Sequence, residues 1–440
     1  WIFPNSMTRL DTWLERLGNR WFFYGWLIVF SSFISSMINA GTGSYALGFF
    51  IIPMGEDIGI SRTQFSVIPL FKLAAIPILP LLGLLVDRRH GGRIIVSVGS
   101  LLGGTALALT SQIDKVWQFY MLYGIIYGFG TAAMGSQLVG PSLMAKWFVR
   151  LRGRAMAIGT MGISAGGVVV APVAGLAIST LGWRAAWVVL GMMAIFAIVP
   201  VSSLFLRRSP EDIGLLPDGN TCDSDGEDTE ENEVSSWTLK QSIRNTQFWI
   251  LLLIQCLGLS GLVVVLFHEV AYIQDKGLTI QSATLVATLL ATSAMISKLP
   301  FGYLAEKMDI RRVLALCLIP AGLSTYMIIP IESAWILVIW GIIHGFFMGG
   351  FPTLTNVALP EYFGRQYMGS IRGVIAPITM IISALSPLIA GILWEESYSY
   401  SVAFFLFGSA WITGGLLTFT LSKPKDPPVT KYISAQKVQV

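Results

Sequence analysis

Twelve apolar runs, each long enough to cross a lipid bilayer, govern what this chain can fold into. About 20 apolar residues span a hydrocarbon core at a rise of about 1.5 Å each. The runs lie at roughly 22–48, 63–86, 94–112, 117–146, 154–178, 184–206, 246–272, 282–305, 312–330, 334–360, 366–393 and 401–421, numbered here as spans 1 to 12. In a bilayer the backbone must satisfy its own polar groups, so each run is predicted to be an α-helix. Composition agrees: 12% of the 440 residues are charged, where a soluble domain carries about 25%. The first run is too long for a cleavable signal peptide and is read as span 1.

The basic residues orient the spans. Twelve crossings put both termini on one side, and 22 of the 29 Lys and Arg residues fall in the terminal segments and even-to-odd connections. Arg62, Lys115, Arg184 and Lys276 lie on the opposite side, and Lys72, Lys298 and Arg372 fall inside spans. The positive-inside rule therefore predicts an integral multi-pass protein of the plasma (inner) membrane with both termini cytoplasmic. Residues 207–240 hold seven acids between Asp223 and Glu233, a composition that reads as a solvated linker. It separates an N-terminal half, 1–206, from a C-terminal half, 241–421, followed by a tail, 422–440.

Several functions are excluded or disfavoured. Cys222, Cys256 and Cys317 lack the spacing of a metal or redox site, and His90, His268 and His344 sit on scattered segments. No enzyme active site, cofactor or nucleic-acid partner is expected. No phosphate-binding loop of an ATPase is found, so any pumping must draw on an ion gradient or on exchange.

The halves repeat one another. Gly83-Leu84-Leu85-Val86-Asp87-Arg88 recurs as Gly302-Tyr303-Leu304-Ala305-Glu306-Lys307, 219 residues on. Trp147-Phe148 recurs as Tyr362-Phe363 at 215, and Trp183-Arg184-Ala185-Ala186-Trp187 faces Tyr400-Ser401-Val402-Ala403-Phe404 at 217. Near-constant offsets imply duplication. With the loop after span 2, the chain resembles the major facilitator superfamily, whose signature there is G-x-x-x-D-R-x-G-R. Gly83, Asp87 and Arg88 match, while Arg89-His90-Gly91-Gly92-Arg93 carries one residue more. The resemblance implies an all-α membrane protein of two pseudo-symmetric six-helix bundles. Gly83, Asp87, Arg88, Gly302 and Glu306 would then be structural or gating elements, Asp87 accepting bonds from a neighbouring helix start or an Arg.

Tyr24-Gly25-Trp26, Lys146-Trp147-Phe148 through Arg152-Gly153-Arg154-Ala155-Met156, and Arg207-Arg208-Ser209-Pro210-Glu211-Asp212 resemble the branch of monocarboxylate porters and oxalate/formate exchangers. This implies transport of a small mono- or dicarboxylate by a monomer. Those porters usually place an Arg in span 8 as the substrate's counter-charge, which Lys298 would replace. In the animal members an Asp precedes it by one turn; here that residue is Ala294.

The buried charges make an independent case. A basic side chain at membrane depth costs about 2.5 to 3.5 kcal/mol, so it normally faces a cavity or a partner. Lys298 lies on a stripe of small residues, Ala287, Ala291, Ala294, Gly302 and Ala305, which suits the bundle interior. Arg372 shares a face with Gly369, Ala376, Thr379 and Ser383, and reads either as a substrate ligand or as a gate bonded to carbonyls. Lys72 could bind substrate or reach the interface along its flexible stem. Every acid except Glu269 lies in a loop, tail or helix end. At an effective dielectric of about 20, a carboxylate about 4 Å from one cation gains on the order of 4 kcal/mol, and a cationic solute loses as much. An organic anion is the expected cargo. Asn39 in span 1 and Tyr127, on the span 4 stripe of Tyr120, Tyr123 and Thr131, are further pocket candidates. His344, Glu269 and Asp275 are candidates for handling a proton in symport; without one, exchange of anion for anion is the alternative. A non-transporting sensor or scaffold on the same fold is the reading from another class. Glycines 162, 166, 167 and 175 with Pro172 read as a close-packing and bending device in span 5.

Overall fold

The computed structural model describes residues 23–60, 64–65, 67–135, 138–219, 236–278, 280–331, 333–397 and 399–424. The acidic cluster Asp223–Glu233, Arg62 and the basic residues Arg9, Arg16, Arg20, Lys425, Lys431 and Lys437 of the two tails lie outside the described residues. Among the described residues there is no strand, and ten helical runs are long and apolar enough to cross a membrane. One of these, Arg152–Phe205, comprises two spans: as one helix its 54 residues would be far longer than a bilayer is thick. Gly182 breaks it with φ +84° and ψ 163°, an extended left-side conformation that suits glycine. A further span is built from consecutive pieces, Val116–Phe119, Tyr120–Ile126, Tyr127–Ala133 and Val139–Trp147. The sequence expectation of twelve helical spans therefore holds.

Span 2 changes its winding midway. Its helix Ile68–Lys72 passes into a tighter 3-10 turn, Leu73–Ile78, before Leu79–Val86 resumes. Pro77 lies in that turn and Pro80 in the first turn after it, and each lacks an N–H to donate. Span 1 runs from Gly25 to Ala40 and loosens into a π-turn, Gly41–Tyr45.

Backbone-to-backbone packing at glycine sets the bundles. A β-carbon at Gly162 or Gly166 would overlap the carbonyl of Phe33 or crowd that of Met37, so span 5 lies directly on span 1. Spans 3 and 6 meet at Gly104 and Gly191, while spans 9 and 12 meet at Gly322 and Gly408. These contacts repeat at offsets of 218 and 217, so the duplication extends from motif to packing. On the far face of the N-terminal half, Arg184 donates to Asp57 at 2.7 Å and Asp114 at 3.1 Å. The opposite face carries the segment 207–219 and is called the linker face below.

Candidate functional site

Two neighbouring stripes build the centre of the molecule. On span 5, residues Gly153, Ala157, Thr160 and Ser164 follow helical spacing and share one face; on span 8 so do Ala294, Lys298, Gly302 and Ala305. Where the stripes meet, a β-carbon at Gly302 would lie 2.6 Å from the Gly153 carbonyl oxygen and 2.7 Å from Cβ of Ala157. Deeper in the membrane the Lys298 ammonium donates to Ser164 Oγ at 2.8 Å and to Ala294 O at 3.4 Å. Lys298 is 4% exposed. Between these levels Thr160 and Thr353 share a hydroxyl hydrogen bond at 2.8 Å, joining span 5 to span 10.

Arg372 on span 11 is equally buried. Its Nη1 donates to Asn356 Oδ1 at 2.6 Å and its Nη2 to the Asn356 carbonyl at 3.1 Å, while its Nε has no partner. Among the described residues no charged group acts on Lys298 or Arg372; each is met by neutral oxygens alone. The sequence expectation of excess positive charge within the membrane thus has a specific geometry.

Asn39, Lys72 and Tyr127 gather in the N-terminal half. The Lys72 ammonium donates to Gly43 O at 3.1 Å and lies 4.8 Å and 5.4 Å from the ring centres of Tyr123 and Tyr127. Tyr127 shares a 2.7 Å hydrogen bond with Thr42, Tyr123 donates to Thr42 O at 2.9 Å, and Asn39 Nδ2 donates to Thr131 O at 3.0 Å. The carbonyl and the ring faces hold the ammonium electrostatically. In Tyr127→Phe one buried hydroxyl bond is lost, but Thr42 keeps its bond to Ile38 O. A loss of about 1 kcal/mol of stability is expected in detergent thermal unfolding, with the fold retained.

The three proton candidates lie apart from one another. His344 is fully buried within the C-terminal half, its Nδ1 2.7 Å from Ser324 Oγ on span 9 and its ring stacked on Trp340 at 5.1 Å. Asp275, at the far end of span 7, accepts from Trp394 Nε1 at 3.1 Å. Glu269 is 3% exposed with Oε2 unpartnered, and its charge reaches Tyr45 of the other half.

The linker face is latched reciprocally. Asp87, ending span 2, accepts from Lys146 Nζ at 2.7 Å and from the start of span 11: Gly369 N at 3.2 Å, Ser370 N at 2.8 Å and Ser370 Oγ at 2.6 Å. Its repeat counterpart Glu306, ending span 8, accepts from Arg154 N at 2.7 Å and Arg154 Nε at 2.8 Å, at the start of span 5. Each acid therefore neutralises the positive end of a helix in the opposite half. Gly83 packs on Gly369 and Gly373 as Gly302 packs on Gly153, whereas Arg88 is exposed. Segment 207–219 braces the same face. Asp218 accepts from the backbone N–H groups of Val149, Arg150 and Leu151, and Glu211 pairs with Arg365 at 2.7 Å. Partial burial acts to raise the Glu211 carboxyl, but hydrogen bonds and the Arg365 charge outweigh it and hold the group below its usual range.

Sequence reasoning had not picked out Ser164, Asn356, Thr42 or the Thr160–Thr353 pair. The span 5 stripe was a usable signal for Ser164, since it lies opposite the glycine face that packs on span 1.

The sequence matches the Major Facilitator Superfamily over residues 25–279 and 260–438. The chain belongs to this superfamily. Among its relatives is Monocarboxylate transporter 12-B of Danio rerio, 24% identical over 423 residues, covering 91% of this chain and 87% of the relative. Two solved major facilitator structures show the same fold. The proton:xylose symporter XylE aligns with a TM-score of 0.70 at 13% identity, covering 90% of this chain and 96% of that one. FucP, in the outward conformation, aligns at 0.66 and 14%, covering 90% and 100%. The protein is accordingly a membrane transporter of the major facilitator type, related to monocarboxylate transporters and not an enzyme.

Proposed function

We propose that this transporter moves a small mono- or dicarboxylate across the plasma membrane by alternating access, coupled to protons, as a monomer. One observation carries the reading: among the described residues, the buried basic side chains of Lys298 and Arg372 face neutral oxygens alone. An incoming carboxylate supplies the missing charge, whereas a cationic solute meets repulsion on the order of 4 kcal/mol from a single cation at about 4 Å. The name of the Danio rerio relative supports the same substrate class. Lys72, with Tyr127 and Asn39, adds polar and cationic surface from the N-terminal half. Arg88 and the other basic residues of the linker face make that face cytoplasmic by the positive-inside rule. With Asp87 and Glu306 each bonded to the opposite half, the linker face is closed. Of the three proton candidates, Glu269 and His344 each keep a buried polar atom without a partner, Oε2 and Nε2, and Glu269 is the carboxylate of the two.

Purified protein in proteoliposomes tests the proposal with labelled formate, lactate, pyruvate, oxalate and succinate, and with choline and glucose as controls. Uptake of at least one acid, and neither control, is expected, increasing when the outside is acidified. Transport of choline with none of the acids overturns the reading. Ala294, standing where the animal porters carry an acid, favours the second reading, anion exchange. In that case uptake requires an acid inside the vesicle and ignores the pH gradient.

A further inference from the structure

The two buried cations differ in the kind of atom that meets them. Arg372 is bonded to a side-chain amide oxygen and a backbone carbonyl, which only accept. Those contacts suit a guanidinium that is always charged. Lys298 is met at short range by a hydroxyl, which both accepts and donates. Thr160, one turn away, spends its hydroxyl on its own helix at Met156 O, but Ser164 makes no such bond. Its proton is free to turn toward an amine lone pair, so the 2.8 Å contact can be kept whether Lys298 is charged or neutral.

Charges on the neighbouring elements do not intervene. Arg154 on span 5 and Glu306 on span 8 are bonded to each other, His344 on span 10 to Ser324, and Arg372 on span 11 to Asn356. Glu269 is near the far end of span 7 and Arg312 at the linker end of span 9. Among the described residues no charged group acts on Lys298. An ammonium buried without a counter-charge costs several kcal/mol more than a neutral amine in the same place.

We propose that Lys298 is itself the proton carrier of this transporter, charged while an anion is bound and neutral while the site is empty. The inference rests on the organic-anion reading above and assigns its coupling to span 8 instead of to Glu269. In the cycle the Lys298 amine takes a proton from the outer solution, forming one N–H bond, and the resulting ammonium pairs with the carboxylate. After reorientation the anion leaves. The N–H bond breaks and the proton follows to the same side, while Ser164 turns to donate to the freed lone pair. One proton and one monoanion cross per turn, with no net charge moved and nothing oxidised or reduced.

Lys298→Arg, Lys298→Ala, Ser164→Ala and Glu269→Gln separate the possibilities in proteoliposomes, using the best-transported acid of the five named above. Each is assayed for equilibrium exchange at equal pH and for net uptake driven by a pH gradient. Lys298→Arg keeps its charge permanently, so the ratio of pH-driven uptake to equilibrium exchange is expected to fall at least about tenfold below that of wild type. Ser164→Ala is expected to shift the pH at which net uptake is half-maximal, and Ser164→Thr to restore it. Glu269→Gln is expected to keep pH-driven uptake. Wild-type coupling in Lys298→Arg overturns the proposal, as does loss of coupling in Glu269→Gln. If Lys298→Arg loses exchange as well, Glu269→Gln decides alone. Undiminished exchange in Lys298→Ala instead overturns the underlying anion site.

Discussion

Lys298→Ala is expected to lower carboxylate uptake at low substrate concentration by about a thousandfold, because it removes an attraction on the order of 4 kcal/mol. The fold should survive. A buried cation that lacks a counter-charge adds little to stability, and replacing it with a small apolar side chain leaves only the Ser164 hydroxyl short of a partner. Thermal unfolding of the detergent-solubilised variant should stay within a few degrees of wild type, showing that the transport loss is local. Concentration dependence separates the roles: loss of a ligand raises KM, whereas a purely structural defect reduces the number of working carriers and leaves KM alone. Unchanged uptake would remove Lys298 from the site and with it the charge argument.

Gly302→Leu should act on conformation rather than on cargo. Its first side-chain carbon already lies 2.6 Å from the Gly153 carbonyl oxygen, and the rest of a leucine has no room while the linker face is closed. Overpacking of this kind costs typically 1–3 kcal/mol, enough to move a two-state population by roughly one order of magnitude or more. A cysteine at Thr160, above the glycine contact, reports the change through an impermeant maleimide applied to the linker face. Slow labelling is expected with Gly302 and labelling at least about tenfold faster with leucine. Equal labelling in the two backgrounds would mean that the glycine pair does not hold the face shut.

The spans were readable because hydropathy and length are properties of single segments. The division of 152–205 was readable too, from the polar and aromatic residues around Trp183 and Arg184, and Gly182 supplies its backbone reason. The signature loop left open which glycine closes the turn; the answer is Gly91, where a β-carbon would overlap Leu85 O. Pairings between distant segments were less accessible. That Asn356 satisfies Arg372, or that Ser164 faces Lys298, depends on how two helices are rotated against each other, and neither helix states this alone. His344 shows the converse. Trp340 lies four residues before it and so shares its helix face, but that this face looks toward span 9 is settled only by the Ser324 contact.

The exchange of acids between halves, Asp87 serving the start of span 11 and Glu306 the start of span 5, has a consequence for turnover. Under the proposed alternating access both must let go before the carrier flips, and neither bonds to Lys298 or Arg372. How long the protein waits in one posture is thus tunable by surface chemistry at the membrane's edge, so a faster or slower carrier can arise with its substrate preference intact.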